Sequence, residues 1–118
     1  MAHTPQELRG RTKAMAIRII RLFRALPSAK EAQIMGTQLL RCGTSVAANY
    51  RAACRGRSRA EFIAKLGIVN EEADETVFWL EVVIDTAVLP PRRMKPLLNE
   101  ARELAAIFTA AHRTARGN

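Results

Sequence analysis

An all-α chain folded as an antiparallel four-helix bundle is what this sequence predicts, and three observations carry the prediction. Apolar residues recur at alternating spacings of three and four along successive segments, the period of a helix with one buried face. Capping residues and prolines bound those segments. The composition is rich in Ala, Leu, Arg and Glu with only 5% aromatic residues, a mixture that favours helices over strands.

The first helix is expected over residues 5–26. Thr4-Pro5-Gln6-Glu7 offers an N-cap, a first-turn proline and the glutamate of a capping box, and Pro27 ends the segment. Its stripe is Leu8, Thr12, Met15, Ile19, Leu22 and Leu26, with six basic residues largely on the other side. The second is expected over 29–55, opened by the capping box Ser28-Ala-Lys-Glu31 and striped by Met35, Leu39, Cys42, Val46, Tyr50 and Ala53. Gly36 and Gly43 lie seven residues apart on nearly one face. Each costs a helix about 1 kcal/mol, so the pair points to a close helix crossing.

Arg55-Gly56-Arg57-Ser58-Arg59 breaks the pattern and supplies a loop. The third helix, expected over 59–88, opens with Ser58-Arg-Ala-Glu61 and carries the longest seam, Phe62 through Leu66, Val69, Ala73, Thr76, Leu80 and Val83 to Ala87. Leu89-Pro90-Pro91 ends it. The fourth is expected over 91–113, with Met94, Leu97, Ala101, Leu104, Phe108 and Ala111 facing inward and a short basic tail fraying after His112. Short connections make neighbouring helices antiparallel. At 118 residues the chain is expected to form a single domain, residues 1–118.

The sequence has no run of eighteen apolar residues and no apolar core near its N-terminus, so neither a membrane span nor a secretory signal is expected, and the cytoplasm is the expected compartment. Cys42 and Cys54, on one helix, would stand about 18 Å apart. That is too far to bridge, and both read as small apolar residues in a reducing compartment. The histidines, His3 and His112, are near opposite ends. No Cys/His cluster has metal spacing, no Glu-x-x-His pair faces the core, and no glycine-rich phosphate loop is present. No catalytic residue, metal, cofactor or small-molecule substrate is therefore expected, and the chain is read as not an enzyme.

Charge is distributed unevenly. The formal net charge is +8, with a pI near 10.7. Residues 1–60 hold 12 Lys/Arg against 2 acids, whereas residues 61–118 hold 7 against 9. Two readings of the basic half stand side by side. Arg11, Arg18 and Arg21, with Arg51, Arg55, Arg57 and Arg59, form a phosphate-contacting surface for RNA or DNA, without base readout because Tyr50 is the only aromatic nearby. Alternatively the arginines are a solvated or protein-facing set that pairs with the acidic third helix of a neighbour or partner, making the chain an interaction module. The third helix has a second apolar side. Ile68, Phe78 and Val82 project away from its stripe among Glu71 and Glu75, with Trp79 on a flank, the pattern of a helix with a second partner in a homo-oligomer.

Residues 40–84 carry a longer pattern: Arg41, a small residue, Thr44-Ser45-Val46, two small residues and Asn49, then a basic Ser-containing turn and a glutamate-rich helix with Phe62, Glu72, Ala73 and Glu75. This pattern resembles the four helix bundle protein family, also called the 23S rRNA intervening-sequence protein family. Many members continue the Asn with Ile-Ala-Glu-Gly, where this chain has Tyr50-Arg51-Ala52-Ala53. The resemblance implies an up-down four-helix bundle with no established catalytic activity. It further implies likeness to the accessory variability proteins of diversity-generating retroelements, which form homopentamers with nucleic-acid-binding basic surfaces. For Arg41, Ser45 and Asn49 two roles are open: hydrogen bonding across a helix crossing that sets register, or polar contact with a neighbouring subunit or nucleic acid.

Overall fold

Thr4 starts the chain's first helix as its sequence requires. In the computed structural model, which describes residues 3–117, the Thr4 hydroxyl accepts the Glu7 amide at 3.0 Å, and α1 runs over Pro5–Ala25. It is followed by α2 (Lys30–Cys54), α3 (Arg59–Asp85) and α4 (Pro91–Ala115). Ser58 caps α3 in the same way, accepting the Glu61 amide at 3.1 Å. Each helix lies against its neighbour in sequence, and α1 meets α4 more sparsely to close an antiparallel four-helix bundle of 45 × 25 × 23 Å.

The expected boundaries shift by one residue at the end of α1 and at both ends of α2, and by more at the ends of α3 and α4. Ser28 does not cap α2; Ala29 occupies the N-cap with no side-chain bond, and Gln33 instead secures the connection by donating to the Pro27 carbonyl at 2.9 Å. The third helix stops at Asp85, short of the expected residue 88. Ala87 takes a left-handed φ of 55° and its amide bonds the Ile84 carbonyl at 3.0 Å, turning the chain towards Pro90, so Ala87 leaves the seam and is exposed. The fourth helix continues to Ala115, past the expected fraying point. Arg59 supports this end by donating to the Ala115 carbonyl at 2.6 Å, satisfying one of the acceptors that a helix leaves free at its C-terminus.

The core is built from the expected stripes. Ile19, Cys42, Val46, Val69, Leu80, Leu104 and Phe108 are fully buried, and Tyr50 stacks at a tilt on Phe108 with ring centroids 5.1 Å apart. Thr12 and Thr76, the polar members of the stripes, are buried with their hydroxyls bonded to the carbonyls four residues back, Leu8 at 2.8 Å and Glu72 at 2.7 Å. The α1/α2 crossing is as close as its glycines imply. A Cβ at Gly43 would overlap Ile19 Cδ1, and one at Gly36 would overlap Leu26 Cδ1 and crowd Phe23. Side chains of α1 therefore seat directly against the backbone of α2.

Where α1 and α4 pack thinly, charge ties them. Arg11 forks onto Glu100 at 2.7 and 3.0 Å and reaches Glu103 at 2.9 Å. The hydrogen bonds from Arg11 hold the Glu100 carboxyl below its ordinary pKa, against the opposing effect of partial burial. No helix among the described residues is long and apolar enough to cross a membrane. Cys42, buried, and Cys54, half-buried, are free thiols.

Candidate nucleic-acid interface

The C-terminal half of α2 forms a crest flanked by two open grooves. Its core-facing residues Val46, Tyr50 and Ala53 fix the rotation of the helix, so Thr44, Ala48, Arg51 and Arg55 look outward. On one side a hollow of about 800 Å³ separates the crest from α1, and Arg9 and Lys13 stand on its far wall. On the other side a second hollow, of about 510 Å³, opens towards the α2–α3 loop and α3, where Arg57 and Lys65 stand. Arg51 and Arg55 line both. Between the cations the floor is made of small residues, among them Gly10, Ala47, Ala48 and Ala52. Glu61 is the one acid lining this trough among the described residues. Arg9, Lys13, Arg51, Arg55, Arg57 and Lys65 make no ion pair with any described residue. Six cations from three helices and a loop are thus aimed at solvent.

The seven arginines expected to contact phosphate divide into groups. Arg51, Arg55 and Arg57 come together in the trough. Arg18 and Arg21 do not join them; they line a separate hollow between α1 and α4 with Arg93 over an apolar floor that includes Leu22, Leu89 and Met94. Arg11 is committed to Glu100 and Glu103, and Arg59, which meets no acid, is turned to the Ala115 carbonyl at the end of α4, so neither lines the trough. The trough also holds Arg9 and Lys13, from the basic side of α1, and Lys65, which no expectation included. An i,i+4 spacing on the outer face of α1 relates the first two, but no local signal groups Lys65 with α2. Tyr50 is buried in the core, where burial raises its hydroxyl pKa, so it offers no stacking surface.

Comparison with known proteins places this architecture. A family model described as 23S rRNA-intervening sequence protein matches residues 6–110. The chain belongs to the 23S rRNA-intervening sequence protein family. A crystal structure of a protein of unknown function from the S23 ribosomal protein family of Bacteroides thetaiotaomicron is similar to this family member. It has a TM-score of 0.83 and 32% identity over 92% of this chain and 97% of that one. No curated protein matches.

The motif residues of this 23S rRNA-intervening sequence protein have local and interhelical duties. Arg41 crosses from α2 to α3, pairing with Glu72 at 3.1 Å and with Glu75. Asn49 donates to the Ser45 hydroxyl at 2.8 Å and to the Ser45 carbonyl at 3.0 Å, both within α2, so this pair does not bridge a helix crossing as expected. Thr44 bonds back to the Leu40 carbonyl at 2.7 Å. The cross-helix contact among these residues is made by Arg41 instead.

The outer side of α3 carries the expected second apolar face. Phe78 is 52% and Ile68 39% exposed, Val82 is half-buried, and Glu71 is exposed between them. Trp79 lies half-buried on the α2 flank, its ring edge-on to Phe78 at 5.0 Å and its indole N–H donating to Glu75 at 3.1 Å. Glu75 is therefore shared by Arg41 and Trp79 of its own subunit.

Proposed function

We propose that this protein is a homo-oligomeric helical bundle that binds RNA or DNA through the basic trough around α2, without strong sequence preference. The observation that supports this reading is the set of six unpaired cations gathered there over a floor of small residues. Such a surface attracts a polyanion and releases its counterions, and it has no aromatic side chain on which a base could stack. The outward apolar face of α3 at Phe78 and Ile68 supports self-association, and the resemblance to pentameric relatives supports a ring of five. Titration against single- and double-stranded RNA and DNA at low and high salt tests the binding. Affinity is expected to fall steeply with salt, and no binding at about 50 mM salt would refute the reading. Light scattering tests the assembly: the wild type is expected at five subunits, and Phe78→Glu in smaller species.

A second reading, a protein-interaction module, draws on the Arg18–Arg21–Arg93 hollow, whose apolar floor and three arginines suit an acidic segment of a neighbour or partner. Charge reversal at Arg18 and Arg21 separates the two. Under this second reading it dissociates the oligomer; under the first the oligomer persists.

A further inference from the structure

We infer that the trough takes a duplex laid across the α2 crest, with the α1 cations on one strand's phosphates and those of the α2–α3 corner on the other's. The inference rests on the nucleic-acid reading above and specifies its ligand. The cations do not form one line, as a groove tracking a single backbone would need. They form two rails, Arg9 and Lys13 on α1 and Arg57 and Lys65 beyond α2, with Arg51 and Arg55 between.

Neighbouring helices pack about 8–10 Å apart, so α1 and α3, on adjacent sides of α2, stand roughly 13 Å apart across the diagonal of the bundle. That span is comparable to the major groove of a duplex, about 12 Å wide. The crest between the rails carries small residues beside its two arginines. Ala48 is exposed on it between Arg51 and the α1 wall, where at Gly10 nothing lies within 4 Å of a Cβ position, so backbone and short side chains leave room for phosphates beside the cations.

Surfaces that hold single strands add aromatic platforms on which bases stack. Neither groove is lined by an aromatic residue; Tyr50 and Phe108 are buried, and the exposed ring of Phe78 is on α3's outer side. Asn49, the one amide near the crest, is bonded to Ser45. The recognition available is of phosphates on two strands, and it applies to duplex DNA and duplex RNA alike.

Fluorescence anisotropy on the full chain tests this with a 20-base-pair duplex and its separate strands, in DNA and RNA versions, at about 50 mM salt. The expected result is that at least one duplex binds about tenfold or more tighter than its strands. Reversing either rail, Arg9→Glu with Lys13→Glu or Arg57→Glu with Lys65→Glu, should weaken duplex binding. Each pair should also lower the slope of log affinity against log salt by about 2. Circular dichroism confirms that each variant is helical. Strands binding as tightly as duplexes, or loss from only one rail, would overturn the duplex assignment while leaving nucleic-acid binding in place. Binding of neither form would overturn both.

Discussion

Arg41 of α2 and Glu75 of α3 form an ion pair that a second carboxylate, Glu72, and the indole of Trp79 complete. The arginine belongs to the sequence pattern that marks the family, and its structural role is to join the two helices with the largest mutual contact. Arg41 is about half exposed, so the pair works partly in water and its stabilisation is modest. A double-mutant cycle of Arg41→Ala and Glu75→Gln in urea denaturation should give a coupling of about 0.5–1 kcal/mol. No coupling would mean that the pair is incidental to the α2–α3 register.

Gly10 and Gly43 occupy helix interiors with opposite surroundings. Nothing lies within 4 Å of a Cβ at Gly10, so Gly10→Ala should gain about 0.5–1 kcal/mol from helix propensity. At Gly43 the new methyl would overlap Ile19, which is fully buried and hemmed in by the core. Gly43→Ala should cost about 1–2 kcal/mol despite the same gain in propensity. Thermal and urea unfolding of the two variants should therefore move in opposite directions.

Acid should loosen the α1–α4 seam. The Arg11 hydrogen bonds lower the Glu100 pKa in the folded protein. A carboxylate lowered in this way contributes stability that is complete above its unfolded value, about 4.3, and lost as pH falls through the folded value. Glu100→Gln should thus be less stable than the wild type near neutrality, with the gap closing below about pH 4. Urea midpoints of both proteins from neutral to acid pH check this. A constant gap would place the effect of the substitution outside the ion pair.

Much of the fold was legible in the sequence because local chemistry decided it. Thr4, Ser58, Pro27 and Pro90-Pro91 mark boundaries through their own backbone needs, and the three-four spacing reports which side of each helix is buried. The Gly36–Gly43 spacing likewise marked a close crossing on α2, though not that α1 is the helix that makes it. The α3 terminus was less legible, because an alanine rather than a glycine takes the left-handed turn at residue 87. The site was harder still. Arg11 looks like a free charge, and Arg59 like an unengaged donor, until partners 89 and 56 residues away are known, and Lys65 enters the trough only once α3 packs beside α2. The arginine-rich half of the sequence identifies the charge; tertiary packing selects which charges remain unpaired.

The central claim is that nucleic acid is held at the α2 crest, where Arg51 and Arg55 line both grooves. The most direct test is the affinity of Arg51→Glu, Arg55→Glu for duplex at about 50 mM salt, compared with wild type and with Arg18→Glu, Arg21→Glu. That second pair makes the same charge change outside the trough. Near-complete loss is expected for the crest variant and a much smaller loss for the other, both proteins remaining helical. Equal losses would show that net charge alone governs binding, and an unchanged affinity in the crest variant would contradict the assignment.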